Sequence, residues 1–300
     1  MKKILLAILG ALLILVGIAG ILLPVVPGWA LIFLGLSFSA PKFTERLKRR
    51  FFRKFFKKGI IELKDWRKFS VKAEFTTKHF QLLLKKTEEL SEPKNQEQFQ
   101  KLIPGKKFVF LNQVHQNHIE VLEDESKYAR EGFYHLSGTD GVLTNIEALT
   151  LLVMTADCLP IFLCAKSRRA EKADWIGIIH TGWRGTKEGI AKKAYQLILE
   201  KSKCSDAGIH VVFGPAIRRD HYEVGAEFKN YFGGKFIHKR SGKFYFDLAA
   251  ENKRQLIKAG ALEENILDLD ICTVCENESF YSFRKEQAAA GRTLSLIAKI

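Results

Sequence analysis

The chain has 300 residues, 47% of them hydrophobic, which suffices for one sizeable globular domain and an additional segment. Its formal net charge of +15 is unevenly placed: residues 42–58 hold nine Lys/Arg against one acid, Glu45. The remainder is only mildly basic, which excludes a broad nucleic-acid surface, so no nucleic-acid partner is expected. Five cysteines, Cys158, Cys164, Cys204, Cys272 and Cys275, are an odd set without framework spacing and are expected to be reduced and cytoplasmic.

After Met1-Lys2-Lys3, residues 4–23 are uncharged and mostly aliphatic, about the length that crosses a hydrocarbon core of roughly 30 Å. A cleaved signal peptide fits less well, because the run is long and Pro41 follows the small-residue stretch Ser37-Phe38-Ser39-Ala40. Pro24, Pro27 and Gly28 interrupt the run before residues 30–40 resume it, so residues 1–41 are predicted to form a transmembrane helical hairpin. Both flanks are positive and the turn is uncharged, so the positive-inside rule keeps both ends cytoplasmic. Residues 42–69 read as a basic juxtamembrane segment. In it, residues 49–58 interleave cations with phenylalanines, and the expected partner is anionic lipid, each cation contributing on the order of 1 kcal/mol. An RNA-binding arm is the weaker alternative beside a membrane segment. The segment resembles the small bacterial membrane proteins named for a Pro-Gly-Pro-Gly-Trp motif, which here reads Pro24-Val25-Val26-Pro27-Gly28-Trp29. Multi-pass anchoring in a bacterial inner (cytoplasmic) membrane is the resulting expectation.

Residues 85–100, polar and charged around Pro93, read as a surface helix followed by a loop. Strands are predicted over 108–111, 119–122, 148–155, 161–164, 176–179, 210–213, 267–273 and 293–297. Helices are predicted over 186–201 and 248–259, the second capped by Asp247 and ended by Gly260. Strands outnumber helices and no strand-helix-strand unit repeats, so the class is α+β, in a domain spanning 70–300.

Three chemistry-bearing groups sit at predicted strand ends. Asn112-Gln113-Val114-His115 follows the first strand. Thr155-Ala156-Asp157-Cys158 follows the apolar run ending at Met154, and His180-Thr181-Gly182-Trp183-Arg184-Gly185 follows 176–179. Gly182 and Gly185 suit a tight turn and close backbone approach, the following helix start favours an anion, and Arg184 adds a planar donor fork. Each group alone reads as structural. Together His115, Cys158 and His180 would make a three-donor zinc site with an open fourth position, the catalytic arrangement. Asp157 is read as ligand-orienting, acid/base or turn-capping, Asp140-Gly141 as a tight turn, and Gln113 and Asn112 as amides near the ligands or as turn contacts. His221 and the other histidines have no evident constellation. Cys272-Thr273-Val274-Cys275 is a lone CxxC without a thioredoxin-like context.

The motifs NQVH at 112–115, DG at 140–141, TADC at 155–158, HTGWRG at 180–185, GP with YEVG at 214–225, FDL at 246–248 and CT with SFR and GR at 272–292 occur in the order found in the YfiH-like family. This family, also called laccase-domain or polyphenol oxidase proteins, is understood as purine nucleoside phosphorylases with adenosine deaminase activity. The resemblance spans about residues 70–300. It implies a layered α/β/β/α fold with mixed sheets, one zinc ion per chain on the catalytic residues His115, Cys158 and His180, and inorganic phosphate as co-substrate for adenosine, inosine or methylthioadenosine. Arg184, Arg284 and Gln113 are the expected substrate contacts. The chain departs from the family at Thr76-Thr77-Lys78-His79-Phe80, at Ile217-Arg218-Arg219-Asp220-His221 and at Ser282-Phe283-Arg284-Lys285, none of which touches the three expected ligands. Two other readings compete: a cysteine hydrolase with Cys158 as nucleophile and a histidine base, and a membrane-tethered cell-envelope editing or binding protein. Copper-based polyphenol oxidation is weaker, because the chain has no His-X-His pair.

Overall fold

The computed structural model describes residues 56–103, 105, 107–167 and 170–300. The predicted hairpin and most of the basic segment lie outside these residues. Among the described residues no helix is long and apolar enough to cross a membrane.

In chain order the domain runs β1 (Ile60–Glu62), β2 (Val71–Thr76), α1 (Pro93–Leu102), β3 (Lys107–Asn112), β4 (Ile119–Leu122), β5 (Gly132–Ser137), β6 (Gly141–Thr144), β7 (Leu149–Thr155), β8 (Leu159–Ala165) and β9 (Trp175–Thr181). It continues with α2 (Trp183–Lys187), α3 (Ile190–Ser202), β10 (Ile209–Phe213), β11 (Glu223–Val224), α4 (Phe228–Phe232), β12 (Ile237–Arg240), β13 (Lys243–Phe246), α5 (Leu248–Lys258), β14 (Ile266–Asp268), α6 (Phe283–Glu286) and β15 (Thr293–Lys299). Two six-stranded mixed sheets result, ordered β1-β2-β15-β7-β3-β5 and β14-β10-β8-β9-β6-β4, with a small sheet β11-β13-β12 beside them. This is a mixed α+β fold.

Burial explains the strand pattern. β7, β8 and β9 are buried along their whole lengths, so they read as continuous apolar runs rather than alternations. Val109, Leu111, Leu151 and Val153 of the first sheet pack with Phe162, Cys164, Ile176 and Ile178 of the second, forming the core between the sheets. The outer face of the second sheet, with Ile161, Leu163 and Ile179, packs on Ala191, Ala194, Tyr195 and Ile198 of α3 and on Leu256 of α5. The outer face of the first sheet, with Phe108, Phe110, Leu152 and Leu294, is covered by Phe99 of α1 together with Leu82, Leu84 and Leu90. Each Val, Leu, Ile or Phe among them contributes about 1.5–3 kcal/mol through burial.

Several expectations are corrected. Residues 58–69, placed by the sequence in the juxtamembrane segment, belong to the compact unit 58–300, with β1 paired antiparallel to β2. Around Pro93 the order is inverted: a 3-10 turn (Thr87–Ser91) comes first, and Pro93 starts α1 instead of ending a helix. A proline at the first helical position gives up only an N–H that has no intrahelical partner. The helix expected over 186–201 is divided at Gly189, whose φ of 78° ends α2 and re-aims the chain into α3. The strand expected to run to 273 stops at Asp268. In contrast, Asp247 does cap α5, accepting from the Ala250 amide.

Candidate metal centre

Two connections that carry the chain from the first sheet to the second set up the site. His115 lies between β3 and β4, with φ of 63°, and Cys158 lies between β7 and β8, after Asp157 with φ of 86°. Because β3 and β7 are parallel neighbours, their C-terminal ends emerge side by side. In the second sheet β8 pairs antiparallel with β9, setting Pro160 opposite His180 and Leu159 opposite Thr181. The three side chains therefore converge. One ligand atom from each of His115, Cys158 and His180 lies within 4.8 Å of the others, and the two imidazoles meet edge to face with ring centroids 4.7 Å apart.

The glycines beside them serve close approach. Gly182 has an ordinary φ of −87°, but a Cβ there would lie 3.2 Å from Cys158 Sγ and 3.3 Å from His115 Cδ2. A Cβ on Gly185 would lie 2.7 Å from the Gln116 carbonyl oxygen. The structure thus ties these glycines to side-chain and backbone packing rather than to an unusual turn.

Behind the cluster stands Asp140, the residue the sequence assigned to a tight turn. It is fully buried, and its Oδ1 accepts from His180 Nδ1 at 2.7 Å. The amides of Val114, His115 and Gln116 also donate to it, at 3.2, 2.9 and 2.8 Å. Asp140 therefore fixes both the His180 ring and the loop bearing His115, and leaves Nε2 of His180 free to ligate, the carboxylate–histidine pairing common behind metal ligands. Burial acts to raise the Asp140 carboxyl, but these donors outweigh it and hold it below the usual carboxylate range. Burial likewise opposes ionisation of Cys158, yet the two imidazoles bring its thiol down to about 6. On His180 burial is again opposed, and Cys158 and Asp140 push it up to about 9. The charges favour a thiolate at Cys158, the form that ligates metals or attacks electrophiles.

A cavity of about 700 Å³ opens over the cluster. His115, Cys158 and His180 contribute to its lining, together with Tyr222, Phe283, Arg284 and Arg292. The other expected residues fall differently. Arg284 lines the cavity, while Arg184 is exposed, stacks on the Trp183 ring at 4.7 Å and lies off the cavity wall. Gln113 reaches the lining, but its amide accepts from Met154 N at 2.7 Å and donates to Met154 O at 2.8 Å, which locks the ends of β3 and β7 together. Asp157 spends one oxygen on Thr273 Oγ1 and the other on the Arg284 amide, both at 2.6 Å, tethering the segment that presents Arg284. Residues 85–88, in the stretch read as a surface helix, also line the cavity. Tyr222 and Arg292 were missed as site residues. Their only signal lay in the YEVG and GR stretches.

The family described as multi-copper polyphenol oxidoreductase laccase matches residues 86–299, and the PGPGW transmembrane protein family matches residues 3–54. A purine nucleoside phosphorylase of Aquifex aeolicus is 33% identical over 194 residues, 64% of this chain and 84% of the relative. An adenosine deaminase, RL5, from an unknown prokaryotic organism is 34% identical over 168 residues, 53% of this chain and 62% of the relative. Among solved structures, YlmD from Geobacillus stearothermophilus superposes with a TM-score of 0.65 at 26% identity, covering 77% of this chain and 92% of that one. The hypothetical protein YfiH of Bacillus licheniformis shares the fold, with a TM-score of 0.68 at 24% identity over 81% of this chain and 97% of that one. The chain belongs to the laccase-domain, YfiH-like family.

Proposed function

We propose that the chain is a zinc-dependent purine nucleoside phosphorylase with adenosine deaminase activity, anchored by residues 1–41 at the cytoplasmic face of a bacterial inner membrane. The observation that carries this reading is the convergence of His115, Cys158 and His180 under a cavity that also presents Arg284 and Arg292. The names of the Aquifex and RL5 relatives support it, and the cavity volume is in the range that encloses a nucleoside with a small anion.

The donor set fits the ion. One thiol and two imidazoles within 4.8 Å match the three-ligand catalytic zinc arrangement, whereas a multicopper cluster of the laccase type calls for more histidines than this cluster offers. When bound by His115, Cys158 and His180, zinc supplies Lewis acidity to a water molecule or to an oxygen of the substrate. The protein supplies the rest. Asp140 keeps the proton of His180 on Nδ1 and orients the ring. Arg284, with its amide pinned to Asp157, and Arg292 supply cations for phosphate beside the sugar. Tyr222 and Phe283 offer aromatic walls for the purine. The division of labour that goes with this reading is a hairpin that localises, a basic segment that meets anionic lipid, and a catalytic domain.

The test uses the full-length protein in detergent with adenosine, inosine and methylthioadenosine. Base release that requires phosphate, inosine formed from adenosine, and loss of both with one zinc ion in His180→Ala are the expected results. A folded, zinc-loaded protein that turns over none of the three sinks the proposal. Activity on another substrate that a thiol alkylator abolishes while metal stays bound would instead favour the cysteine hydrolase, for which the placement of Cys158 beside two imidazoles is the supporting observation.

A further inference from the structure

A second constellation lies behind one wall of the cavity. His221, Cys272 and Cys275 each offer a ligand atom, and these atoms lie within 4.8 Å of one another. His221 Nδ1 is 3.5 Å from Cys272 Sγ and 3.6 Å from Cys275 Sγ. Cys272 is buried, and the other two are half-buried.

The backbone holds these groups as a pair of short turns. Residues 218–222 close on themselves, with the His221 and Tyr222 amides donating to the Arg218 carbonyl. Cys272 bridges Ala216, after which the Glu276 amide returns to the Cys272 carbonyl. A two-cysteine turn with an imidazole facing both sulfurs makes a Cys₂His donor set. A disulfide would use the two sulfurs alone and would give His221 no part. None of the five cysteines is in a disulfide.

We propose that His221, Cys272 and Cys275 form a second metal site, for a zinc-class divalent cation, separate from the His115, Cys158 and His180 centre. Thiolate and imidazole donors select such a cation over magnesium or calcium, which take oxygen ligands. The site cross-links residues 214–224 to the turn after Cys272. Ile217 and Tyr222 of the first segment line the cavity. Arg284 adds to the same wall, donating to Glu223 O at 3.0 Å and resting over the Tyr222 ring. The second ion is therefore a structural clamp on the wall of the cavity, and its binding releases the thiol protons.

The experiment counts metal in the full-length chain, purified reduced and loaded with zinc, and compares Cys158→Ser, Cys272→Ser/Cys275→Ser and His221→Ala. Two ions in the parent, one lost in Cys158→Ser and the other in the double variant, are expected. Cobalt(II) added to Cys158→Ser should give thiolate-to-cobalt charge-transfer absorption, because the first centre then has no thiolate. His221→Ala in that background should weaken cobalt binding by at least about tenfold while keeping both sulfurs, which decides the matter even if the double variant fails to fold. A parent chain whose metal content is the same in the double variant, no charge-transfer band in Cys158→Ser, or a Cys272–Cys275 disulfide in the metal-loaded protein would each overturn the proposal.

Discussion

Changing Asp140 to asparagine tests the link between the domain's stability and its candidate metal centre. Its two buried oxygens accept from four donors: the amides of Val114, His115 and Gln116, and Nδ1 of His180. Asparagine keeps one oxygen and turns an NH₂ group toward the donors that faced the other, so about half of them lose an acceptor. At about 1–3 kcal/mol for each buried donor left unsatisfied, the cost is roughly 2–6 kcal/mol. In a domain of this size about 1 kcal/mol corresponds to about 2–4 °C, so the melting temperature should fall by roughly 4–24 °C. Because the same carboxylate orients His180, zinc affinity should drop on the order of 10–100-fold. Circular dichroism melts and zinc titrations of full-length Asp140→Asn measure both. Glu120→Gln, which alters only an exposed contact with His118, is the control and should change stability by under about 1 kcal/mol. An Asp140→Asn protein that melts like the parent and binds zinc equally well would refute the reasoning.

The remaining predictions separate neighbouring residues. Arg284→Ala should raise KM for phosphate by about tenfold or more, equivalent to about 1.4 kcal/mol, whereas Arg184→Ala, off the cavity wall, should leave the kinetics near parental; equal effects would remove Arg284 from the anion site. Gly185→Ala sets a methyl group 2.7 Å from the Gln116 carbonyl, so a loss of about 1–3 kcal/mol in melting experiments is expected, and an unchanged melt would contradict that contact. His210 stacks on Phe69 with centroids 4.5 Å apart, and burial, then the charge of Lys68, lowers its pKa. A depressed histidine contributes stability above its unfolded value of about 6.5 that is lost as pH falls through the folded value, so His210→Phe should flatten the stability profile below about pH 6.5. An acid limb of unchanged steepness in that variant would rule out His210 as its source.

Most of the strands that the sequence made legible are buried on both faces, although half-exposed β4 was read and buried β2 and β6 were not. β7, β8 and β9 are continuous apolar runs whose hydrophobicity is itself the signal, and β3, β10 and β15 share that character. β5, in contrast, is a half-exposed edge strand reading GFYHLS, and β11 to β13 form a small partly exposed sheet, so their patterns do not stand out from loops. The CxxC at Cys272 and Cys275 was visible as spacing, but its partner His221 lies 51 residues before Cys272. Nothing local marks His221 as part of that group.

The sequence by itself determined the α+β class, the apolar strands, the Asp247 cap and the placing of His115, Cys158 and His180 at strand ends, because each depends on residues only a few positions apart. Only the tertiary structure decided that those three ends meet, that Asp140 rather than Gln113 or Asp157 stands behind the cluster, that Arg284 and Arg292 rather than Arg184 face the cavity, and that His221 meets the Cys272 pair. The physical reason is that these meetings are set by sheet order and by the β3–β4 and β7–β8 connections, which carry the chain from one sheet to the other. That order follows from how two apolar sheet faces pack against each other, which no short window of residues encodes.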